Sequence, residues 1–152
     1  MPTITPFLWF DNQLEEAMSF YASVFGDSAV LGTPGPAGEV MMASFRLAGQ
    51  DFMGLNGGPM YAFTPAISLF VSCEGQDEVD YYWDRLVEGG SPSRCGWLVD
   101  RFGLSWQIIP TALGRLMGDP DPERAGRVMQ AMLAMTKIEV AGLQAAYDGA
   151  QA

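Results

Sequence analysis

The sequence contains no histidine among its 152 residues. Histidine is the usual base beside serine and cysteine nucleophiles, and its imidazole is the commonest metal ligand in proteins. The absence excludes Ser–His and Cys–His nucleophilic systems, imidazole metal ligands and histidine acid–base catalysis. Few enzyme chemistries remain open to this chain.

Cysteine and basic residues are scarce. Cys73 and Cys95 are the only cysteines, too few for a disulfide scaffold, so we expect a reducing, cytoplasmic setting. Eight basic residues against 18 acidic ones give a formal net charge of −10, which repels phosphate backbones and anionic headgroups. We therefore expect no nucleic-acid partner and no membrane-surface partner.

Long hydrophobic runs are also missing. No apolar stretch approaches the roughly 20 residues of a membrane span, and no basic region followed by an apolar core marks the N-terminus as a signal peptide. Nevertheless 49% of the residues are hydrophobic and only 17% are charged. This composition predicts a well-packed core in one domain, or in two small modules that share one core.

Strand-like and helix-like segments occur twice in the same order. In the first half, a strand at 3–10 precedes a helix that Asp11 is expected to cap and Gly26 to end. Strand-like segments then follow near Val30, at 39–47 and at 50–56. In the second half, a strand at 66–73 precedes a helix that ends at Gly89-Gly90, and strands follow near 93–100 and 104–110.

The two halves also resemble each other in sequence. Thr5-Pro6 before the first strand matches Thr64-Pro65, and E-E-A-M-S-F-Y at 15–21 parallels D-E-V-D-Y-Y-W at 77–83. A period near 60 residues indicates an internal duplication of a βαβββ unit. One helix leaves one face of its sheet uncovered, so two units must pair to bury it. We predict an α+β fold in which modules at about 3–58 and 64–110 form one domain, 1–110, with a curved mixed sheet around a cleft.

The remaining residues, 111–152, are predicted to form a helical extension packed on that domain or on a partner subunit. Thr111 is expected to cap a short helix, and Asp119-Pro120 or Asp121-Pro122 to begin the next. Residues 136–139, T-K-I-E, have the spacing of a capping box for a last helix. The apolar stripe of the middle helix consists of Val128, Met132 and Met135.

Several motifs carry a family resemblance. The duplicated pattern, with D-x-F-G-x-x-W-x-I in the last strand pair, resembles the glyoxalase/bleomycin-resistance, or vicinal oxygen chelate, superfamily. The stretches T-P-F-L-W-F-D, L-N-G-G-P, C-G-W-L-x-D-x-F-G-L-S-W-Q-I-I-P-T and D-P-D-P-E-x-A-x-R-V-M-Q-A-M-L-x-M-x-K-I are similar to its PhnB-like subgroup, whose members often carry the label demethylubiquinone 3-methyltransferase. The resemblance implies the paired-module fold and a homodimer, but it does not identify the activity, because this fold hosts isomerases, dioxygenases, epimerases and binding proteins.

The resemblance also implies where a metal would be held. Metal-using relatives place histidine on the first strand of a module and glutamate on the last, positions that fall here on Pro6, Ala66, near Gly54-Leu55, and on Gln107. None of these side chains ionises, and a lone amide holds neither Zn²⁺ nor Ni²⁺. We therefore expect no metal site of the superfamily type.

Gln107 is the most informative candidate, because a polar amide stands in an apolar strand. Strand alternation puts Ser105, Gln107 and Ile109 on one face. The amide is either a buried group satisfied by a neighbour or a cleft-facing group that hydrogen-bonds a ligand. The resemblance places it on the cleft.

Aromatic residues are the second group of candidates. By the same alternation, Leu8, Phe10, Ser68 and Phe70 would face the cleft and line an apolar pocket suited to a planar or aromatic ligand. Trp97, on the strand before Gln107, completes this predicted set.

Two further features have ordinary structural explanations beside their functional ones. Asn56 in L-N-G-G-P is either a turn residue or a ligand contact. The same stretch lacks a G-x-G-x-x-G fingerprint, so no motif supports S-adenosylmethionine as a cofactor. Cys95 is either a buried thiol or a reactive one assisted by Arg94 or Arg101.

Three functions remain open at this point. The chain is a metal-independent small-molecule binding protein, an enzyme of the superfamily (a methyltransferase, or a lyase or isomerase), or a structural, partner-binding dimer. The missing histidines and the amide at 107 favour the first over the second.

Overall fold

The computed structural model describes residues 1–26, 30–34 and 40–149. By its internal contacts the chain divides into two compact units, Met1–Phe63 and Thr64–Ala152. Within the described ranges, no helix is long and apolar enough to cross a membrane. Each unit contains one copy of the repeated pattern, and the pairing of the modules into one domain stays a prediction.

The first unit is a βαβββ module with a four-stranded mixed sheet. Its elements are β1 (Phe7–Phe10), α1 (Leu14–Phe25), β2 (Val30–Pro34), β3 (Val40–Leu47) and β4 (Gln50–Asn56). The strand order is β1-β4-β3-β2, with β1 parallel to β4 and the other pairs antiparallel. The predicted segments are confirmed here with shorter ends. Glu39, placed in the third strand from the sequence, lies outside the described residues.

The second unit repeats this topology and adds the tail. Its sheet has the order β5-β8-β7-β6, with β5 parallel to β8. The elements are β5 (Ser68–Cys73), α2 (Gln76–Val87), β6 (Ser91–Pro92), β7 (Trp97–Val99), β8 (Ser105–Pro110), α3 (Thr111–Met117), α4 (Pro122–Leu133) and α5 (Val140–Tyr147). The duplication read from the sequence is therefore confirmed.

The start of α1 corrects one prediction. Gln13, not Asp11, stands at the N-cap, and its side chain makes no capping bond. The free N–H of Leu14 donates instead to Oδ1 of Asn56, at 2.9 Å, and Nδ2 of Asn56 donates to the backbone oxygen of Val40, at 2.9 Å. The helix is thus capped from the end of β4, and this bond also ties α1 to the sheet.

The start of α5 corrects a second prediction. The N-cap residue Glu139 makes no side-chain capping bond, so the capping box at 136–139 does not form. The N–H of Val140 donates to Oε1 of Gln76 at 2.7 Å, and Nε2 of Gln76 donates to the backbone oxygen of Ile138 at 3.0 Å. A side chain from the first turn of α2 therefore fixes the last helix onto the second module.

The other two tail helices begin close to where the sequence predicts. Asp121 caps α4, its Oδ1 accepting from the Glu123 N–H at 3.0 Å, with Pro122 at the first helical position. Thr111 is the first residue of α3 rather than its cap, which is Pro110. The tail helices pack on the end of β8. The apolar cluster between them consists of Ile109, Leu113, Leu116, Val128, Ile138 and Leu143.

Candidate functional site

The two faces of each sheet differ in what covers them. In the first unit, the side chains of Leu8 and Phe10 are buried, and a Cβ at Gly54 would meet Leu14 of α1 at 2.7 Å and Phe10 at 3.6 Å. Phe10 therefore packs on the α1 side. The predicted alternation for β1 is wrong: Trp9, not Phe10, lies on the face opposite α1.

In the second unit the predicted alternation holds. Trp106 and Ile108 are buried with 2% and 0% of their surface exposed, whereas Phe70 is 60% exposed. The register places Phe70 opposite Gln107 on one side and Trp97 opposite Gln107 on the other. These three side chains form a row across the sheet, on the face away from α2.

A cavity of about 580 Å³ lies against this row. One wall is the sheet, with Phe70, Trp97 and Gln107, and the other is the helical tail, from Thr111 in α3 to Met132 in α4. Among the described residues, the lining consists of Phe70, Ser72, Cys95, Trp97, Gln107, Ile109, Pro110, Thr111, Leu113, Gly114, Met117 and Met132. The volume is in the range of small-molecule sites, and the contribution of the tail was not evident from the sequence.

Gln107 is the central polar group of the cavity. Its Nε2 donates to Oγ of Ser68 at 2.9 Å, which leaves Oε1 with no partner among the residues that the structure describes. Beside it on the same face, the hydroxyl of Ser105 is buried and also has no partner within the described ranges. The Ser68 bond fixes the amide so that its carbonyl oxygen can accept a hydrogen bond from a ligand.

The cavity lining offers almost no ionisable group. Cys95 is the only thiol among the described lining residues, and its backbone N–H donates to the backbone oxygen of Met135 at 2.8 Å. Cys73 lies buried beneath the sheet, where burial and then the Glu78 carboxylate raise the pKa of its thiol to about 11. A thiol with such a pKa stays protonated at neutral pH, which disfavours Cys73 as a nucleophile.

The positions that would hold a metal do not fit one. A side chain at position 54 would be directed toward Leu14 of α1, and Gln107 contributes only an amide. Among the described residues, no group of three or more Asp, Glu, Cys or His side chains could hold a metal ion. The side chains present thus disagree with a divalent site of the superfamily type, for which carboxylate and imidazole ligands are needed.

The stretch at 54–59, G-L-N-G-G-P, is accounted for by packing. Both ends of the Asn56 amide are engaged within the module. A Cβ at Gly57 would overlap the ring of Trp9, whose Nε1 donates to the backbone oxygen of Gly58 at 2.9 Å. The asparagine and the first glycine therefore have structural roles, and they do not form a cradle for S-adenosylmethionine.

The predicted site residues are thus divided between the two units. One cavity is lined by Phe70, Trp97 and Gln107, and Ser68 accepts a hydrogen bond from the Gln107 amide. Phe10 and Asn56 belong to the first unit, where they take part in its internal packing and capping.

Comparison with solved structures supports the fold. A PhnB protein from Bacillus cereus is 34% identical, with a TM-score of 0.67, and the match covers 72% of this chain and all of that chain. A protein from Pseudomonas aeruginosa is 20% identical, with a TM-score of 0.61 and coverage of 72% and 98%. The fosfomycin resistance protein FosX from Listeria monocytogenes, complexed with Mn(II) and sulfate, is 14% identical, with a TM-score of 0.53 and coverage of 70% and 89%.

Comparison of the sequence gives one negative and one positive result. No curated protein matches the chain significantly. The sequence profile of the family described as 3-demethylubiquinone-9 3-methyltransferase matches residues 2–109, which is most of the chain. The chain belongs to this PhnB-like family of the glyoxalase/bleomycin-resistance superfamily.

Proposed function

We propose that the protein is a metal-independent small-molecule binding protein whose site is the cavity of the second module. The observation that carries this proposal is the row Phe70–Gln107–Trp97, in which one fixed amide stands between two aromatic side chains. Two aromatic faces suit a planar ring, and the amide carbonyl suits a hydroxyl or N–H donor on its edge.

The charge of the chain narrows the class of ligand. None of the described lining residues is basic, and the net charge of −10 repels anions. A large exposed aromatic such as Phe70 at a cavity rim is typical of a binding surface. The proposed ligand is therefore neutral, mainly apolar and aromatic.

An enzymatic function of the superfamily is the alternative. Transfer of a methyl group needs a bound donor and a base for the accepting oxygen, and a lyase or isomerase needs an acid–base group. Within the part of the chain that the structure describes, the lining offers only the Cys95 thiol for either role. We therefore favour a binding function over a catalytic one. Calorimetric binding of S-adenosylmethionine would instead favour the methyltransferase.

We also propose that the protein is a cytoplasmic homodimer. In the first unit, Phe7 and Met42 are 46% and 38% exposed on the sheet face opposite α1. Trp9 and Leu55 lie on that same face. Such an apolar face favours contact with a second copy of the chain.

Two matched probes test the role of Gln107. We expect 2-naphthol to bind with a Kd on the order of 100 µM, and Gln107→Leu to weaken it roughly fivefold by removing the acceptor for its hydroxyl. 2-Methoxynaphthalene has no donor, so the same substitution should change its affinity by less than about twofold. The measurement is quenching of tryptophan fluorescence, with calorimetry as the second readout.

The control is Gln130→Leu, an amide of α4 that does not line this cavity. It should leave both affinities unchanged. Equal affinity of 2-naphthol for the wild type and for Gln107→Leu would contradict the proposed anchor, and no binding of either probe would contradict the proposed function.

A further inference from the structure

The second wall of the cavity follows residue 109, where the match to the family profile ends. The family profile matches residues 2–109. The helices α3 and α4 follow residue 109, yet they supply Leu113, Met117 and Met132 to the lining. Half of the described lining residues therefore follow the part of the chain that the family profile matches.

This helical wall is held on the second module by polar contacts as well as by its apolar cluster. Gln76 bonds both Ile138 and Val140, and Lys137 Nζ lies 2.8 Å from a carboxylate oxygen of Asp80 in α2. The pKa of Asp80 is lowered, most by the hydrogen bond from Lys137 and next by the hydrogen bond from Gln76.

The sheet side contributes two further bonds to the same segment. The backbone N–H groups of Cys95 and Gly96 donate to the backbone oxygens of Met135 and Thr136, both at 2.8 Å. The segment after α4 is therefore tied both to α2 and to the loop before β7. A wall fixed at both sides has a defined position relative to Gln107.

We propose that Met117 and Met132 determine the specificity of the site by receiving an apolar extension of the ligand. Methionine side chains are flexible and polarisable, and they adapt to apolar ligands of varied shape. The cavity volume of about 580 Å³ exceeds what one small ring occupies. This inference rests on the proposed function: a hydroxylated ring lies at Gln107, and an alkyl or second aryl group extends from it against α3 and α4.

A series of 4-alkylphenols, from ethyl to hexyl, measures the contribution of this wall. In the wild type, each added methylene should strengthen binding about threefold to fourfold, the factor expected for burial of one methylene. In Met117→Gln and Met132→Gln, the gain per methylene should fall to less than about twofold, because a polar amide replaces the thioether. Met132→Leu, which restores an apolar side chain, should recover the wild-type gain.

Met129→Gln is the matched control, because Met129 lies in the same helix, is 43% exposed and does not line the cavity. It should keep the full gain per methylene. Gln107→Leu should weaken all members of the series by the same factor, without changing the gain.

The outcomes separate the two proposals. If the phenols bind, Gln107→Leu weakens them and the gain per methylene is unchanged in both Met→Gln variants, the methionine wall is refuted and the proposed function stands. If no phenol binds to the wild type, the proposed function itself is refuted.

Discussion

Asp100→Ala is expected to lower the free energy of unfolding by about 3–5 kcal/mol, among the largest effects of any single substitution in the second module. The Asp100 side chain is only 2% exposed. Its Oδ1 accepts from the N–H groups of Phe102 at 2.8 Å and Leu104 at 3.0 Å, and its Oδ2 accepts from Nε1 of Trp106 at 2.9 Å. Alanine would leave three donors without their acceptor in the turn that joins β7 to β8.

Two substitutions calibrate this result. Asp100→Asn keeps one side-chain oxygen, so it should cost about half as much. Asp51→Ala removes a carboxylate that pairs with Arg46 at 2.7 Å on the surface, with the two side chains 60% and 52% exposed, and it should leave the free energy of unfolding nearly unchanged. Urea unfolding followed by circular dichroism gives all three values, and equal losses for Asp100→Ala and Asp51→Ala would show that the turn does not depend on the buried carboxylate.

Gly96→Ala is expected to destabilise the second unit by about 2–4 kcal/mol. Gly96 has a φ of +85°, which favours glycine. An added Cβ would lie 2.7 Å from Cδ1 of Ile109, 2.9 Å from Cγ1 of Ile138 and 3.0 Å from the backbone oxygen of Ile108. The substitution therefore combines backbone strain with a clash at the seam between the sheet and the tail.

Gly103→Ala separates these two causes. Gly103 has nearly the same φ, +88°, but a Cβ there would meet nothing within 4 Å. It should cost only about 1 kcal/mol, the strain of a left-handed alanine. Urea unfolding of the two variants compares the costs, and the alkylphenol series should show a smaller gain per methylene in Gly96→Ala alone. Equal destabilisation by both substitutions would mean that the tail does not need the close approach at Gly96.

The repeated module was predictable because it depends on local patterns. Alternating apolar residues, helical spacing in α1 and α2, and glycine-rich turns all recur at one period, and two four-stranded sheets follow from them. The shared face of Gln107 and Phe70 was also predictable, because alternation placed Phe70 on the cleft side of its strand and the family resemblance placed Gln107 there.

Contacts between distant residues were not predictable in this way. The first N–H groups of α1 and α5 donate to the side chains of Asn56 and Gln76. These acceptors lie 42 and 64 residues away in the sequence. The local candidates, Asp11 and the T-K-I-E stretch, matched the usual pattern, but tertiary contacts supplied other acceptors. Phe10 was misplaced for a related reason: alternation gives the period of a strand but not which of its faces meets the helix.

The tail shows the same limit for the site. Its helices could be located from capping residues and the methionine stripe, but nothing local indicates that Met117 and Met132 lie opposite Gln107. That arrangement depends on the apolar cluster around Ile109 and on the bonds from Gln76.

A neutral aromatic ligand is proposed to bind at Gln107 without a metal. The most direct measurement is calorimetric titration of 2-naphthol into protein treated with excess EDTA, repeated after dialysis into Mn²⁺. We predict the same Kd under both conditions, because no described residue of the cavity presents a carboxylate or imidazole ligand. Binding that disappears in EDTA and returns with Mn²⁺ would show that the site depends on a metal.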